Sequence, residues 1–176
     1  AKNTPAGIEA RVHPMLIPVK HPLAAVNDSF NAIFVHADAA GEVMFYGRGA
    51  GELPTASAVV GDIIDVTRNI EFSSLGRISC SCYKNLSIKP IENIESMYFL
   101  RVECRDEPGV LARIAKVFGD NQVSISQFIQ KDAIQDVAEL VIITHKVFEC
   151  DIRKSVAELN KLDIVQKVSS IIRVYG

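Results

Sequence analysis

The chain has 176 residues, of which 48% are hydrophobic and 23% are charged, and its formal net charge is −2. This balance is typical of a globular chain of one or two domains with a sizeable core, and it excludes an intrinsically disordered chain. The sequence has no basic stripe and no apolar run of bilayer length, so we expect neither nucleic acid nor a membrane as a partner.

Residues 1–75 are predicted to be one part of a larger α/β fold. An extended, proline-containing stretch from Ile8 to Val19 is followed by two strands, Phe30 to Ala37 and Val43 to Tyr46, with a hairpin turn between them. A helix is predicted from Pro54 to about Asn69, with a broad apolar stripe. If these strands were its only partners, the helix would expose much apolar surface, so the segment lacks the rest of its core.

Three alternate glycines connect the second of these strands to the helix, and they are Gly47, Gly49 and Gly51. Glycine allows the backbone to lie close to a ligand, and a helix start presents unpaired N–H groups. The pattern therefore suits a cofactor or substrate cleft, with a tight structural turn as the alternative. The G-x-G-x-G spacing differs from the dinucleotide fingerprint.

Residues 76–97 are predicted to be a linker, and residues 98–176 a complete domain. Tyr98 to Arg105 alternates in polarity, as a half-buried strand does. A helix is expected to start with Pro108 in its first position and to be stopped by Gly119-Asp120-Asn121. The later elements are a strand with Val123, Ile125, Gln127 and Ile129 on one face, a polar turn from Asp132 to Asp136, a strand from Val137 to Thr144, a helix marked by Ile152, Val156 and Leu159, and a strand from Val168 to Tyr175.

This order, β-α-β-β-α-β, predicts a ferredoxin-like plait, which makes the whole chain α+β. Both helices would cover one face of the sheet, and the other face would pair with a second copy of the chain or with another surface. We expect the turn from Asp106 to Gly109 and the strand entry at Asn121 to meet at one end of the plait. Free N–H groups at the helix start can receive a carboxylate, while Asp106 and Asn121 can hold an amino or hydroxyl group.

Cysteine and histidine give no sign of a metal or redox centre. Cys80 and Cys82 are one residue apart, which fits neither a redox pair nor a usual zinc site, and Cys104 lies on the apolar face of a strand as a small core residue. His13 and His21 lie in extended segments without further ligands nearby, so no metal is expected. We expect a reducing, cytoplasmic compartment.

Two stretches carry a resemblance to known families. Arg105-Asp106-Glu107-Pro108-Gly109-Val110-Leu111, followed by Asn121-Gln122-Val123-Ser124-Ile125, resembles the ACT domain, a module that binds amino acids. Arg11-Val12-His13-Pro14-Met15-Leu16-Ile17-Pro18, Tyr46-Gly47-Arg48-Gly49-Ala50-Gly51 and Pro54-Thr55-Ala56-Ser57 resemble the late part of the catalytic domain of homoserine dehydrogenase.

The second resemblance implies an oxidoreductase that interconverts aspartate 4-semialdehyde and homoserine with NAD(P). In that family the nucleotide fold and the catalytic lysine and aspartate lie upstream of this block, so the resemblance implies no catalytic residue here and no tight NAD(P) binding by this chain alone. It also implies that Gly47, Gly49 and Gly51 contact the nicotinamide end of the cofactor, with Gly49 and Gly51 favoured.

The first resemblance implies an amino-acid effector, threonine as the pathway end product, at Asp106, Gly109, Asn121 and Gln127, with Gln130 as a further polar residue. A structural role is the alternative, in which Asn121 ends a helix and the glutamines face water. We further expect a homo-oligomer that pairs through the ACT domain and the strands of the catalytic segment. The alternative function is that of a stand-alone, ACT-type regulatory protein without catalysis.

Overall fold

The computed structural model describes residues 1–74, 85–134 and 137–176, without the side chains of 131–134. The chain divides into two compact units, which are described separately. The first unit combines residues 1–16 with 86–176, and the second comprises residues 17–85. Cys80 and Cys82, together with much of the predicted linker, lie outside the described residues.

The larger part of the first unit is the predicted plait. Its elements are β6 (Glu95–Arg105), α2 (Val110–Asp120), β7 (Ile125–Ile134), β8 (Val137–Thr144), a short β9 (Val147–Phe148), α3 (Glu149–Leu159) and β10 (Val165–Val174). Neighbouring strands follow the order β10-β6-β8-β7, all antiparallel, and β9 pairs with the start of β6. The β-α-β-β-α-β prediction is confirmed.

The core of this unit lies between the sheet and the two helices. From β6 it takes Tyr98, Leu100, Val102 and Cys104, which are at most 2% exposed, while the residues between them point to the opposite face. Helix α2 contributes Val110, Ile114, Val117 and Phe118, and helix α3 contributes Ile152 and Leu159. The period of two along β6 and the helical spacing along α2 therefore bury one face of each element.

Helix α2 begins later than the sequence predicted. Pro108 precedes the helix, because Gly109 is the cap residue and adopts a left-handed φ of 88°. A residue with a side chain rarely adopts that backbone conformation, so Gly109 sets the helix start. The helix ends at Asp120, with Asn121 as its cap, within the predicted stop signal of residues 119–121.

Strands β7 and β10 contain bulges, which shift the alternation of their side chains between the two faces of the sheet. In β7, Ile125 pairs with Thr144 but Gln127 pairs with Ile143, so Ser126 is an extra, unpaired residue. The predicted single face of Val123, Ile125, Gln127 and Ile129 is therefore wrong: Val123 and Ile125 belong to the core side, while Gln127 and Ile129 lie on the other face. In β10, similar shifts occur at Gln166 and Ser169.

The first 16 residues of the chain pack on this plait. Strands β1 (Lys2–Thr4) and β2 (Gly7–Glu9) form a hairpin, and β3 (Met15–Leu16) adds to the edge of the sheet, parallel to β10. The Lys89 ammonium lies 3.0 Å from a Glu9 carboxylate oxygen, and the Arg11 guanidinium donates to the Ser96 hydroxyl at 2.8 Å. The compact units thus differ from the predicted boundaries, because strand partners far apart in sequence form one sheet.

The second unit contains a hairpin of β4 (Phe30–Ala37) and β5 (Gly41–Arg48) and a long helix, α1 (Glu52–Glu71). Both strands and the helix were predicted, although β5 and α1 are longer than expected. No residue described between 17 and 74 is buried, and Val59, Val60, Ile63 and Val66 of α1 are each more than half exposed. The expectation that this segment lacks part of its core is therefore confirmed for the described residues.

No helix among the described residues is both long enough and apolar enough to cross a bilayer.

Candidate functional site

The turn between β6 and α2 forms a small cavity at one end of the plait. The cavity has a volume of about 70 Å³, and it is lined by Cys104, Arg105, Asp106, Glu107, Gly109, Val110, Leu111, Gln130, Ala138 and Leu140. No described side chain makes a capping hydrogen bond at the start of α2. Its backbone N–H groups can therefore receive an anionic group, and the positive end of the helix dipole favours one there.

Of the two candidate glutamines, only Gln130 reaches this turn. Its amide nitrogen donates to an Asp106 carboxylate oxygen at 3.3 Å. Gln130 pairs with Leu140 of the core side, whereas Gln127 pairs with Ile143 of the opposite face and is exposed. The Ser126 bulge is the reason, because it changes which residues of β7 face the helices.

Asn121 lies at the other end of α2 from Gly109. The two residues flank an 11-residue helix, so a rise of about 1.5 Å per residue separates them by roughly 18 Å. The amide nitrogen of Asn121 donates to the Val117 carbonyl at 3.0 Å and to a Glu158 carboxylate oxygen at 2.9 Å. Within one copy of the chain, the structure brings Asp106, Gly109 and Gln130 together but not Asn121 or Gln127.

The three candidate cofactor glycines differ in what a side chain would meet. A Cβ at Gly49 would lie 1.5 Å from the Asn31 amide nitrogen, and Gly51, which caps α1, has a φ of 118°. The backbone conformation favours glycine at position 51, whereas a Cβ at position 49 would require the exposed Asn31 side chain to move. Gly47 lies in β5, and a Cβ there would meet nothing within 4 Å. No contact among the described residues accounts for glycine at position 47.

The sequence predicted that Cys104 is a core residue and that no metal is bound. Cys104 is a core residue, 1% exposed, and burial followed by the nearby Asp106 charge raises the pKa of its thiol. Cys104 and Cys150 are both free thiols. Among the side chains that the structure describes, no group of three or more His, Cys, Asp or Glu residues is placed to hold a metal ion.

A buried polar network at the opposite end of the plait was missed at the sequence level. The Tyr98 hydroxyl and the Arg173 guanidinium each donate to the same carboxylate oxygen of Glu149, both at 2.5 Å. The other Glu149 oxygen accepts from Nε of Arg153 at 2.9 Å. One signal was available: Arg173 is a charged residue within the apolar run of β10.

The network shifts the ionisation of its members. Burial, then the hydrogen bond to Glu149, raises the pKa of Tyr98 to about 12. Burial alone would raise the pKa of Glu149, but the hydrogen bonds from Tyr98, Arg173 and Arg153 together lower it. Glu149 is 5% exposed, so it is a buried carboxylate whose charge is held by three donors.

Comparison with known proteins identifies both parts of the chain. Residues 1–64 match the family model described as homoserine dehydrogenase, and residues 98–163 match the ACT domain. Two curated relatives, both named homoserine dehydrogenase, come from Neisseria gonorrhoeae and Corynebacterium glutamicum. The first is 44% identical over 98% of this chain and 41% of its own length. The second is 43% identical over 98% of this chain and 38% of its own length.

Solved structures agree with these matches. A homoserine dehydrogenase from Thiobacillus denitrificans has a TM-score of 0.86 at 34% identity, over 99% of this chain and 40% of that one. The enzyme of the same name from S. aureus has a TM-score of 0.53 at 27% identity, over 92% of this chain and 36% of that one. The chain therefore spans about two fifths of the length of these relatives. It belongs to the homoserine dehydrogenase family and represents a C-terminal portion of it, with an ACT domain after a segment of the dehydrogenase.

Proposed function

We propose that the protein containing this chain interconverts aspartate 4-semialdehyde and homoserine with NAD(P), and that its ACT domain subjects this reaction to control by an amino acid. The observation that supports the proposal is the presence of both family segments in one chain that aligns with the relatives over nearly its whole length. We keep residues 1–75, 76–97 and 98–176 as the proposed division into catalytic segment, linker and ACT domain.

The 176 residues alone are proposed to be catalytically inactive and not to bind NAD(P) tightly. Hydride transfer needs a positioned nicotinamide and a group that takes the hydroxyl proton, and the sequence holds no dinucleotide fingerprint. The test is homoserine oxidation with NAD and with NADP, by the purified chain and by the product of the whole reading frame. Activity in the longer protein alone supports the proposal. An inactive longer protein that binds an amino acid would instead favour the stand-alone regulator.

We propose that the protein containing this chain is located in the cytoplasm, and cell fractionation tests this location.

We further propose that Gly47, Gly49 and Gly51 pass close to the nicotinamide end of the cofactor. Gly47 gives the sharpest test, because none of the described residues lies within 4 Å of a Cβ placed there. In the full-length enzyme, Gly47→Ala is expected to raise the KM for NAD(P) without lowering thermal stability. A matched substitution, Gly61→Ala in the middle of α1, likewise meets no described residue within 4 Å and serves as the control. Equal kinetics for the two variants would remove Gly47 from the cofactor site.

Threonine is the proposed effector, and the turn from Asp106 to Gly109 is its proposed site. The uncapped start of α2 suits the α-carboxylate, and Asp106 with Gln130 offers partners for the ammonium and hydroxyl groups. A cavity of about 70 Å³ is small for an amino acid, so the site would be completed at a seam with a second ACT domain. Asn121 and Gln127 could enter the site only from that second copy.

Calorimetric titration with threonine tests this arrangement. Affinity in the range of roughly 10 μM to 1 mM is expected for a small polar ligand. Gln130→Ala should weaken binding, because Gln130 holds Asp106 at the turn. Gln127→Ala is the matched control on the same strand. If this variant also weakens threonine binding, the outer face of the sheet lies at the seam between two ACT domains. If another amino acid binds and threonine does not, the proposed identity of the effector is wrong, but the proposed location of its site is supported.

A further inference from the structure

The buried network of Tyr98, Glu149 and Arg173 borders a second cavity, at the end of the plait away from the β6–α2 turn. Its volume is about 290 Å³, and its lining is completed by Ile152, Arg153, Val156 and Ile171. This volume is close to the lower limit for small-molecule sites, so the cavity suits a short ligand.

The charges at this cavity do not cancel. Glu149 carries one negative charge, while Arg153 and Arg173 carry two positive ones, so the lining has a net charge of +1. Among the residues that the structure describes, the buried Nε atom of Arg173 has no hydrogen-bond partner. A buried donor without an acceptor is costly, and an anionic oxygen is the acceptor that a guanidinium binds most strongly.

The remaining lining decides between classes of anion. Glu149 already accepts hydrogen bonds from Tyr98, Arg173 and Arg153, and two of these donors are cationic, so an ammonium group would meet a net positive lining. Ile152, Val156 and Ile171 give an apolar wall, which a phosphate or sulfate would leave unused. A single net positive charge also balances a monoanion rather than a dianion.

We propose that this cavity binds a short aliphatic monocarboxylate, with its carboxylate at Arg173 and Arg153 and its branched tail against Ile171 and Val156. The site differs from the effector site at the β6–α2 turn, since the two cavities share no lining residue. It is independent of the proposed dehydrogenase reaction and of threonine.

The experiment is a titration of the 176-residue chain with 4-methylpentanoate, followed by amide chemical shifts in nuclear magnetic resonance spectra. We expect saturable shifts in α3 and β10, with a dissociation constant of roughly 0.1 to 10 mM for a ligand of this size. The matched amine, 4-methylpentylamine, and inorganic phosphate should give no saturable shift at the same residues. A phosphate or an amine that binds as tightly would overturn the proposed class of ligand.

Two variants test the location. Arg173→Lys keeps the positive charge but removes the buried Nε, and it should weaken binding at least about tenfold. Ile171→Trp changes a residue that is 46% exposed and outside the buried network, so it should preserve the fold while it fills the cavity and prevents binding. Arg113→Gln, which alters an arginine paired with Asp163 elsewhere in the unit, is the matched control. No saturable shift in the original chain, or undiminished binding by Ile171→Trp, would overturn the proposal.

Discussion

Removal of a single oxygen, by Tyr98→Phe, tests how much the buried carboxylate of Glu149 depends on its donors. The Tyr98 side chain is 2% exposed, and its hydroxyl donates to Glu149 at 2.5 Å. A hydrogen bond to a charged group contributes about 1.5 to 3 kcal/mol to the free energy of unfolding. Phenylalanine keeps the ring, so the aromatic contact with the Arg173 guanidinium, 5.7 Å from the ring centroid, should persist.

We expect the midpoint of urea unfolding to fall by about 1 M, for a loss near 2 kcal/mol and a slope of about 2 kcal/mol per M. Circular dichroism is the suitable probe of the transition, because the chain contains no tryptophan whose fluorescence could report unfolding. Tyr46→Phe is the matched control, because Tyr46 is 52% exposed and lies in the other compact unit. A loss below about 0.5 kcal/mol for Tyr98→Phe would show that the hydroxyl is not a significant partner of Glu149.

The pH dependence of stability gives a second measure of the same bond. The pKa of Tyr98 rises from 10.0 to about 12 on folding, so its contribution is complete below pH 10 and is lost as pH rises towards 12. The pKa of Glu149 is lowered from 4.5, so its contribution is complete above pH 4.5 and is lost as pH falls below that value. Tyr98→Phe should abolish the loss of stability that Tyr98 causes between pH 10 and about 12. It should also move the acid loss of stability that Glu149 causes to higher pH. An unchanged profile at both limits would refute the reasoning.

Three further predictions concern other parts of the chain. Gly49→Ala should lower the hydrogen-exchange protection of the β4–β5 hairpin, because its Cβ would displace the Asn31 amide. Asn31→Ala in the same chain should restore the protection. Protection that Gly49→Ala leaves unchanged would show that Asn31 does not restrict this position. Asn121→Ala should lower the free energy of unfolding by about 1 kcal/mol, and a double-mutant cycle with Glu158→Ala should show coupling, since the two side chains are hydrogen-bonded at 2.9 Å; additive losses would argue against that bond. The chain should form an oligomer in light scattering at micromolar concentration, since the apolar side chains of α1 are exposed, and a monomer would contradict this.

The elements of the plait could be predicted because their patterns are strong and local. β6 and β8 alternate between buried and partly buried residues along almost their whole length, and α2 buries residues at helical spacing. Residues so placed have only one arrangement that covers the apolar face. The incomplete core of the second unit was predictable for the same reason, since α1 has more apolar residues than one hairpin can cover.

The candidate site was harder to predict, because single residues decide which side chains meet. The Ser126 bulge leaves Gln127 on the outer face and brings Gln130 to Asp106. The strand pairing of β3 with β10 joins residues 15–16 to residues 173–174, a distance in sequence that no local pattern reports. Two of the three donors to Glu149 of α3, Tyr98 of β6 and Arg173 of β10, likewise come from other elements, so no local motif contains the network.

The bulges also determine where the chain can change length. Strand β10 has ten residues but pairs eight of them with β6, and Gln166 and Ser169 are the two that the pairing omits. Deletion of Ser169 would leave every other residue of β10 on its present face, with Ile171 and Arg173 still directed towards α3. Deletion of Ile171 would instead turn one end of the strand over and move Arg173 away from Glu149. Among homologous sequences, insertions and deletions in this strand should therefore occur at the bulges and be absent between them. The strand can then vary in length without exchanging its two faces.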